Sequence, residues 1–356
     1  MDETMELMRE LTEASGIPGY EGAVRAVIRK YLEPITVIEQ DNLGSIICKK
    51  EGSCGSPKVM LVGHMDELGF MVKFITEEGF IKFSPLGLWW NQVMLAQRVV
   101  VKTSKGDVPG VIGAKPPHLL APEERKKMVE MDDMFIDVGA TSEEQARSEF
   151  GVRPGDPVVP VSEFTVLKNG KMYLAKAWDD RVGCALFVDI IKKLSGHVHS
   201  NTIFGVGTVR EEFGLRGATT SAYAVVPDVG IVLEGTIGGD VPGCKKEESQ
   251  EELGKGPSIV VGDHSMIPNL RLRDLFIDTA EGNGIPYQLA FVRGGTDATA
   301  IHINAKGVPS IVIGVPARYI HSHVGIIHRD DYDNAVKLVL AVLGKLDTDT
   351  VRSFTS

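Results

Sequence analysis

The chain has 356 residues, more than one compact core accommodates, so two domains or one domain with a large insertion are expected. Its 43% apolar and 24% charged residues are those of an ordinary folded protein, which excludes disorder as the default. A formal net charge of -10 argues against nucleic acid or membrane as partners, because phosphate backbones and anionic lipid both need clustered Lys and Arg.

Local basic runs such as EERKK are mixed with acids and read as solvated helix faces. No apolar stretch is long enough to cross a bilayer. The acidic start MDETMELMREL is the opposite of a signal peptide, so a cytoplasmic location is expected. Cys48, Cys54, Cys184 and Cys244 show no CxxC pairing and read as reduced thiols.

In chain order, ETMELMRELTEAS and EGAVRAVIRKYLEPI carry helical spacing, with the loop GIPGYEG between them. TVIEQDNLGSIICKK reads as a hairpin around Asp41 to Gly44, and KVMLVG as a buried strand. From about Phe70 to Phe164 the texture changes to short strands (FMVKFIT, GFIKFS, QRVVVKTS, DVPGVIG) and one helix, PEERKKMVEM. This predicts an inserted β-rich domain over residues 70–164, with residues 1–69 and 165–356 forming the other domain. After it, RVGCALFVDIIKKLSG, NTIFGVGTV, DVGIVLEG, LRDLFIDTAEGNG, PYQLAFV, DATAIHINAKG, PSIVIGVP and YDNAVKLVLAVLGKL alternate as helices and strands. The fold class is therefore α/β: a mixed, largely parallel sheet with helices on both faces.

Chemistry-bearing residues gather at the ends of those strands. His64 and Asp66 follow KVMLVG, Asp179 and Asp180 precede a helix, Glu211 and Glu212 follow NTIFGVGTV, Glu234 closes the next strand, and His321 and His323 follow PSIVIGVP. Open α/β sheets bind ligands at the carboxyl edge of their strands, so all of these groups are candidates for one crevice. Singly, each has a plainer explanation: Asp179 or Asp180 as a helix cap, His64 as a structural histidine, Glu211 and Glu212 as partners of Arg210 or Arg216. Together, so many carboxylates would repel one another and drive their pKa values up unless cations sat among them. Imidazole and carboxylate ligands suit zinc, cobalt or manganese, and two such ions can share a bridging carboxylate and activate a water. Adjacent glutamates leaving a strand point apart, so one can bind metal while its neighbour takes the proton.

The motifs GHMDE, WDDRVG, REEFGLRGA, LEGT, GGTDATAI and RYIHS, in this order and with a β domain inserted after the first, resemble the M42 family of metallo-aminopeptidases, which includes glutamyl aminopeptidases and TET peptidases. The resemblance covers essentially the whole chain and implies a zinc-peptidase-like fold and a two-metal aminopeptidase. It further implies that His64, Asp179 and Glu234 bind one ion, that Asp179, Glu212 and His321 bind the other, and that Asp179 bridges them. Glu211 becomes the general base, and Asp66 orients His64. Choosing Asp179 over Asp180, and His321 over His323, rests on the resemblance. Many members have Asp where this chain has Glu234, and Glu where it has Gly325. The resemblance also implies that the inserted domain dimerises and that dimers build a tetrahedral dodecamer whose inner cavity admits peptides.

The nearest members carry the label endoglucanase M, which makes a glycoside hydrolase using paired carboxylates the alternative. Such an enzyme needs an aromatic-lined cleft, whereas aromatics are 6% here and the histidines would have no role. Thr296 or Asp297 in GGTDATAI is expected to cap a helix, with the loop bordering the substrate site. His197 and His199 belong to a surface loop, and Trp89 and Trp90 are expected to pack in the inserted domain or at a subunit contact.

Overall fold

The computed structural model describes residues 2–355. The chain begins with α1 (Glu3–Glu13), α2 (Gly22–Leu32), β1 (Val37–Gln40), β2 (Ile46–Lys50) and β3 (Lys58–His64). Six strands follow: β4 (Gly69–Ile75), β5 (Ile81–Leu86), β6 (Arg98–Thr103), β7 (Gly106–Gly113), β8 (Phe135–Asp137) and β9 (Pro157–Pro160). Next come β10 (Thr165–Val166), β11 (Met172–Ala175), α3 (Trp178–Leu194), β12 (Thr202–Thr208), α4 (Arg216–Val225) and β13 (Val229–Ile237). The remainder is β14 (Ser258–Gly262), α5 (Leu270–Gly282), β15 (Gln288–Phe291), α6 (Ala298–Ile301), β16 (Ser310–Arg318), β17 (Gly325–His328), α7 (Arg329–Leu343) and α8 (Thr348–Ser353).

Eleven strands form one sheet in the order β1-β2-β12-β3-β13-β16-β17-β11-β10, with β14 paired to β16 and β15. Its centre, β12-β3-β13-β16, is parallel, and antiparallel strands extend both sides. The central strands are buried at nearly every position because both faces are covered. Val59, Leu61, Ile203, Ile231 and Ile311 pack with α1, α2, α3, α5 and α7, while the alternate residues Met60, Val62, Phe204, Val232 and Val312 pack with α4 and α6. The close approach of α3 explains one glycine: a Cβ on Gly63 would lie 2.5 Å from the Gly183 carbonyl carbon.

Strands β4-β5-β8-β7-β6-β9 close into a separate barrel with its own apolar cluster. Phe70 lies at its centre, edge-on to Phe83 at 5.0 Å and stacked on Trp89 at 4.8 Å. Trp90 instead stays 57% exposed. The predicted helix PEERKKMVEM does not form, and only a 3-10 turn at Glu124–Lys126 remains. Most of its residues are exposed and only Val129 and Met131 pack against the barrel core, too little apolar contact to support a helix that is too short to persist alone.

The barrel leaves the sheet through residues 65–68, directly after His64. That link is fixed from beneath by the buried Arg181, which donates to the carbonyls of Met65, Leu11, Ala14 and Gly16 and to Glu67. Lys176, also buried, pairs with the same Glu67. All four cysteines are free thiols, with Cys48 and Cys184 buried.

Candidate metal centre

Topology delivers the strand-end residues to one edge. His64 ends β3, and Thr208, the last residue of the neighbouring parallel strand β12, is its register partner, so Glu211 and Glu212 emerge beside it. Glu234 lies on β13, three residues before that strand ends rather than at its close. His321 sits in the connection from β16 to β17. Because β11 is antiparallel to β17 and β17 to β16, β11 runs the same way as β16 and delivers Asp179 to the same edge.

The two adjacent aspartates have diverged in role. Asp180 is fully buried, and its carboxylate accepts the main-chain N–H groups of Gly183 at 2.9 Å, Gly235 at 3.1 Å and His64 at 3.0 Å, the first being a helix cap. Asp179 faces the cleft. Its Oδ1 lies 2.9 Å from His64 Nε2 and its Oδ2 lies 3.2 Å from His321 Nε2. Glu234 Oε1 and Glu211 Oε2 stand 3.7 and 3.8 Å from His64 Nε2, and Glu212 Oε1 stands 3.6 Å from His321 Nε2. His323 instead turns toward the barrel, where its Nδ1 meets Gln97. No described ion pair joins Glu211 or Glu212 to Arg210 or Arg216.

These groups crowd in a buried place. Burial, then the surrounding carboxylates, pushes Glu211 and Glu234 well above the usual carboxylate range, although His64 opposes it. Burial and the Asp179 charge push Glu212 up to about 8. Asp179 is buried too, yet hydrogen bonds from His321 and His64 hold its pKa down. Burial would strip the proton from His321, but Asp179 wins and raises it to about 9. His64 likewise rises against its burial because Glu211, Asp179 and Glu234 surround it. Protons or metal cations must balance this set.

The donors fit metal. Groupings of His64, Glu211 and Glu212, of Asp179, Glu212 and His321, and of His64, Asp180 and Glu234 each bring their ligand atoms within 4.8 Å of one another. In the last, the carboxylate of Asp180 is already engaged by three N–H donors, which leaves Asp179 as the available aspartate. Glu212 Oε1 is buried without any hydrogen-bond partner, a costly condition that a cation would relieve.

Several supports were invisible in the sequence. His64 Nδ1 is held by the main-chain carbonyl of Asp66 at 2.9 Å, not by its carboxylate, which is 3.7 Å away. That carboxylate instead accepts the backbone N–H groups of Glu211 at 3.0 Å and Glu212 at 3.1 Å. Asp66 thus holds three site residues at once. Asp297 does not cap α6 but turns inward to accept the Thr208 hydroxyl, while Thr296 Oγ1 accepts the Ala298 N–H at 3.2 Å. Of eight described non-glycine residues with positive φ, five (Ala177, Arg210, Leu215, Tyr319 and His321) flank the centre, as strained backbone held by its surroundings does at functional sites. A Cβ on Gly325 would lie 3.2 Å from Trp178 Cδ1, so this position has little room. A cavity of ≈ 590 Å³ opens over the centre, walled by Leu88, Leu215, Ile237, Val292 and Ile320, with Arg293 among its lining residues.

Comparison with known proteins decides the family, because a family model described as M42 glutamyl aminopeptidase matches residues 44–338. The chain belongs to the M42 family. It is an aminopeptidase, a peptide hydrolase acting at chain ends. This M42 aminopeptidase is 34% identical to a glutamyl aminopeptidase of Lactococcus lactis subsp. cremoris over 98% of each chain. It is also 34% identical to a lysyl aminopeptidase of Pyrococcus furiosus over 96% of this chain and 97% of that one. Among solved structures, a TET aminopeptidase from a marine sediment archaeon, Thaumarchaeota archaeon SCGC AB-539-E09, superposes with a TM-score of 0.97 at 49% identity, covering 99% of both chains. The TET1 peptidase of Pyrococcus horikoshii, which assembles into a tetrahedron or a large octahedral shell, has a TM-score of 0.86 at 33% identity, covering 97% of this chain and 100% of that one. No helix among the described residues is long and apolar enough to cross a membrane.

Proposed function

We propose that this aminopeptidase works with two divalent ions bridged by Asp179, with zinc or cobalt favoured and manganese admissible. The observation that carries the reading is the pair of Asp179 oxygens, each directed at a different imidazole, at 2.9 and 3.2 Å. His64 and Glu234 complete one seat, and Glu212 and His321 complete the other. When bound, the ions supply Lewis acidity toward the scissile carbonyl and lower the pKa of a water toward neutrality. Glu211 receives the proton of the attacking water and passes it to the leaving amine, a role supported by its place beside the centre, 3.8 Å from His64 Nε2, with no hydrogen bond to its carboxylate among the described residues. Asp66 keeps Glu211 and Glu212 in place through their backbone N–H groups. The apolar walls of the cavity receive the N-terminal residue of a peptide.

A glycosidase reading leaves His64 and His321 without work, and no observation favours it. We infer further that the barrel (residues 70–164) forms dimers and that these build a tetrahedral dodecamer; the assembly of the Pyrococcus horikoshii TET1 peptidase into a tetrahedron or a large octahedral shell supports a homo-oligomer. Chelation tests the reading. Dialysis against EDTA is expected to abolish release of chromophore from aminoacyl p-nitroanilides, and cobalt or zinc to restore it. Turnover that survives complete removal of divalent ions would refute the two-metal reading.

A further inference from the structure

We propose that Gln97, in the inserted barrel, is a positioning residue for the seat formed by Asp179, Glu212 and His321, acting through His323 on the loop that carries His321. This inference rests on the two-metal reading above.

The loop over residues 319–324 joins β16 to β17. Two of its non-glycine residues, Tyr319 (φ 61°) and His321 (φ 57°), are left-handed, a conformation costing roughly 1–2 kcal/mol each. Something must hold them. Within the loop, the Ser322 hydroxyl faces the carbonyls of Val324 at 2.6 Å and Tyr319 at 2.9 Å. Two further restraints come from the barrel. The Leu88 carbonyl accepts from His321 Nδ1 at 3.0 Å, which directs Nε2 toward Asp179 and Glu212. Gln97, only 2% exposed, turns its side-chain N–H groups to the Val93 carbonyl and to His323 Nδ1, the latter at 3.0 Å. Because a carbonyl oxygen can only accept, Val93 fixes which end of the amide faces it. The amide therefore donates to His323, and the ring proton of that histidine lies on Nε2.

The same barrel segment also passes close to Glu212: Gly87 has φ +89°, and a Cβ there would come within 3.1 Å of Glu212 Oε2. Of the ligands peculiar to this seat, His321 is thus held by the barrel and Glu212 lies beside it. His64 leans elsewhere, on Asp66 and Asp179, and the backbone of Glu234 is bound into β13. Loosening the clamp should therefore release one ion and spare the other.

The test is titration of the metal-free full-length protein with cobalt, followed by calorimetry and the visible cobalt spectrum. In Gln97→Leu and in His323→Leu one cobalt is expected to bind as in the wild type, while the Kd of the other rises about 10–100-fold, the usual effect of losing support around a ligand. His323→Asn places an acceptor near the former Nδ1 and is expected to return the weakened Kd close to the wild-type value. Two unchanged Kd values in the leucine variants, equal weakening of both ions, or failure of Asn to restore binding would overturn the inference. Should Gln97→Leu not fold, the Leu and Asn variants of the more exposed His323 decide it. Wild-type protein binding fewer than two cobalt ions would instead defeat the two-metal reading, and this inference with it.

Discussion

Glu211→Gln is expected to cut kcat by about 10²–10⁴-fold, the range a general base contributes, while both metal ions remain bound. The substitution keeps the shape of the side chain and removes only its capacity to take a proton. Glu211 is held through its backbone by Asp66 at 3.0 Å, so the loop carrying Glu212 should not move. Its carboxylate is 3.8 Å from His64 Nε2, near the centre without being hydrogen-bonded to it. Measuring kcat and metal content on the same preparation separates the two roles. Loss of an ion from Glu211→Gln would mean that Glu211 is a ligand and that its neighbour Glu212 is the base.

Asp179→Asn has the larger effect on binding. An amide offers one oxygen where the carboxylate offers two, so it can serve His64 or His321 but not both as partners in shared seats. The expected result is loss of at least one ion, with activity falling below detection. A thermal readout gives a second check. Ligands that bind only the folded state stabilise it by RT ln(1 + [L]/Kd), so excess zinc should raise the wild-type Tm and move the variant's far less. An Asp180→Asn variant makes the contrast: its losses should fall on stability, because that carboxylate serves three backbone N–H groups. Full metal binding by Asp179→Asn would remove Asp179 from the centre.

Much of this was legible in the sequence because the relevant forces are local. Strands apolar along most of their length announce a sheet covered on both faces, and Glu234 within such a run stands out as a charge needing compensation. The ambiguous pairs could not be resolved by spacing. Asp179 and Asp180 are neighbours, and only the tertiary arrangement sends one carboxylate to backbone N–H groups and the other to imidazoles. His321 and His323 differ because the barrel supplies a carbonyl to the first and an amide to the second. Asp66 illustrates a deeper limit, since its main-chain carbonyl orients His64 and backbone groups leave no signature in residue identity. The segment PEERKKMVEM failed for the complementary reason: good helix-forming residues form no helix when too little packs against them.

The most direct measurement is crystallography of the active enzyme with anomalous scattering at the zinc and cobalt edges, backed by elemental analysis. Two peaks per chain, both within coordination distance of the Asp179 carboxylate, are expected. An active enzyme with no divalent ion, or with its ions away from Asp179, would contradict the bridging role on which the proposed chemistry rests.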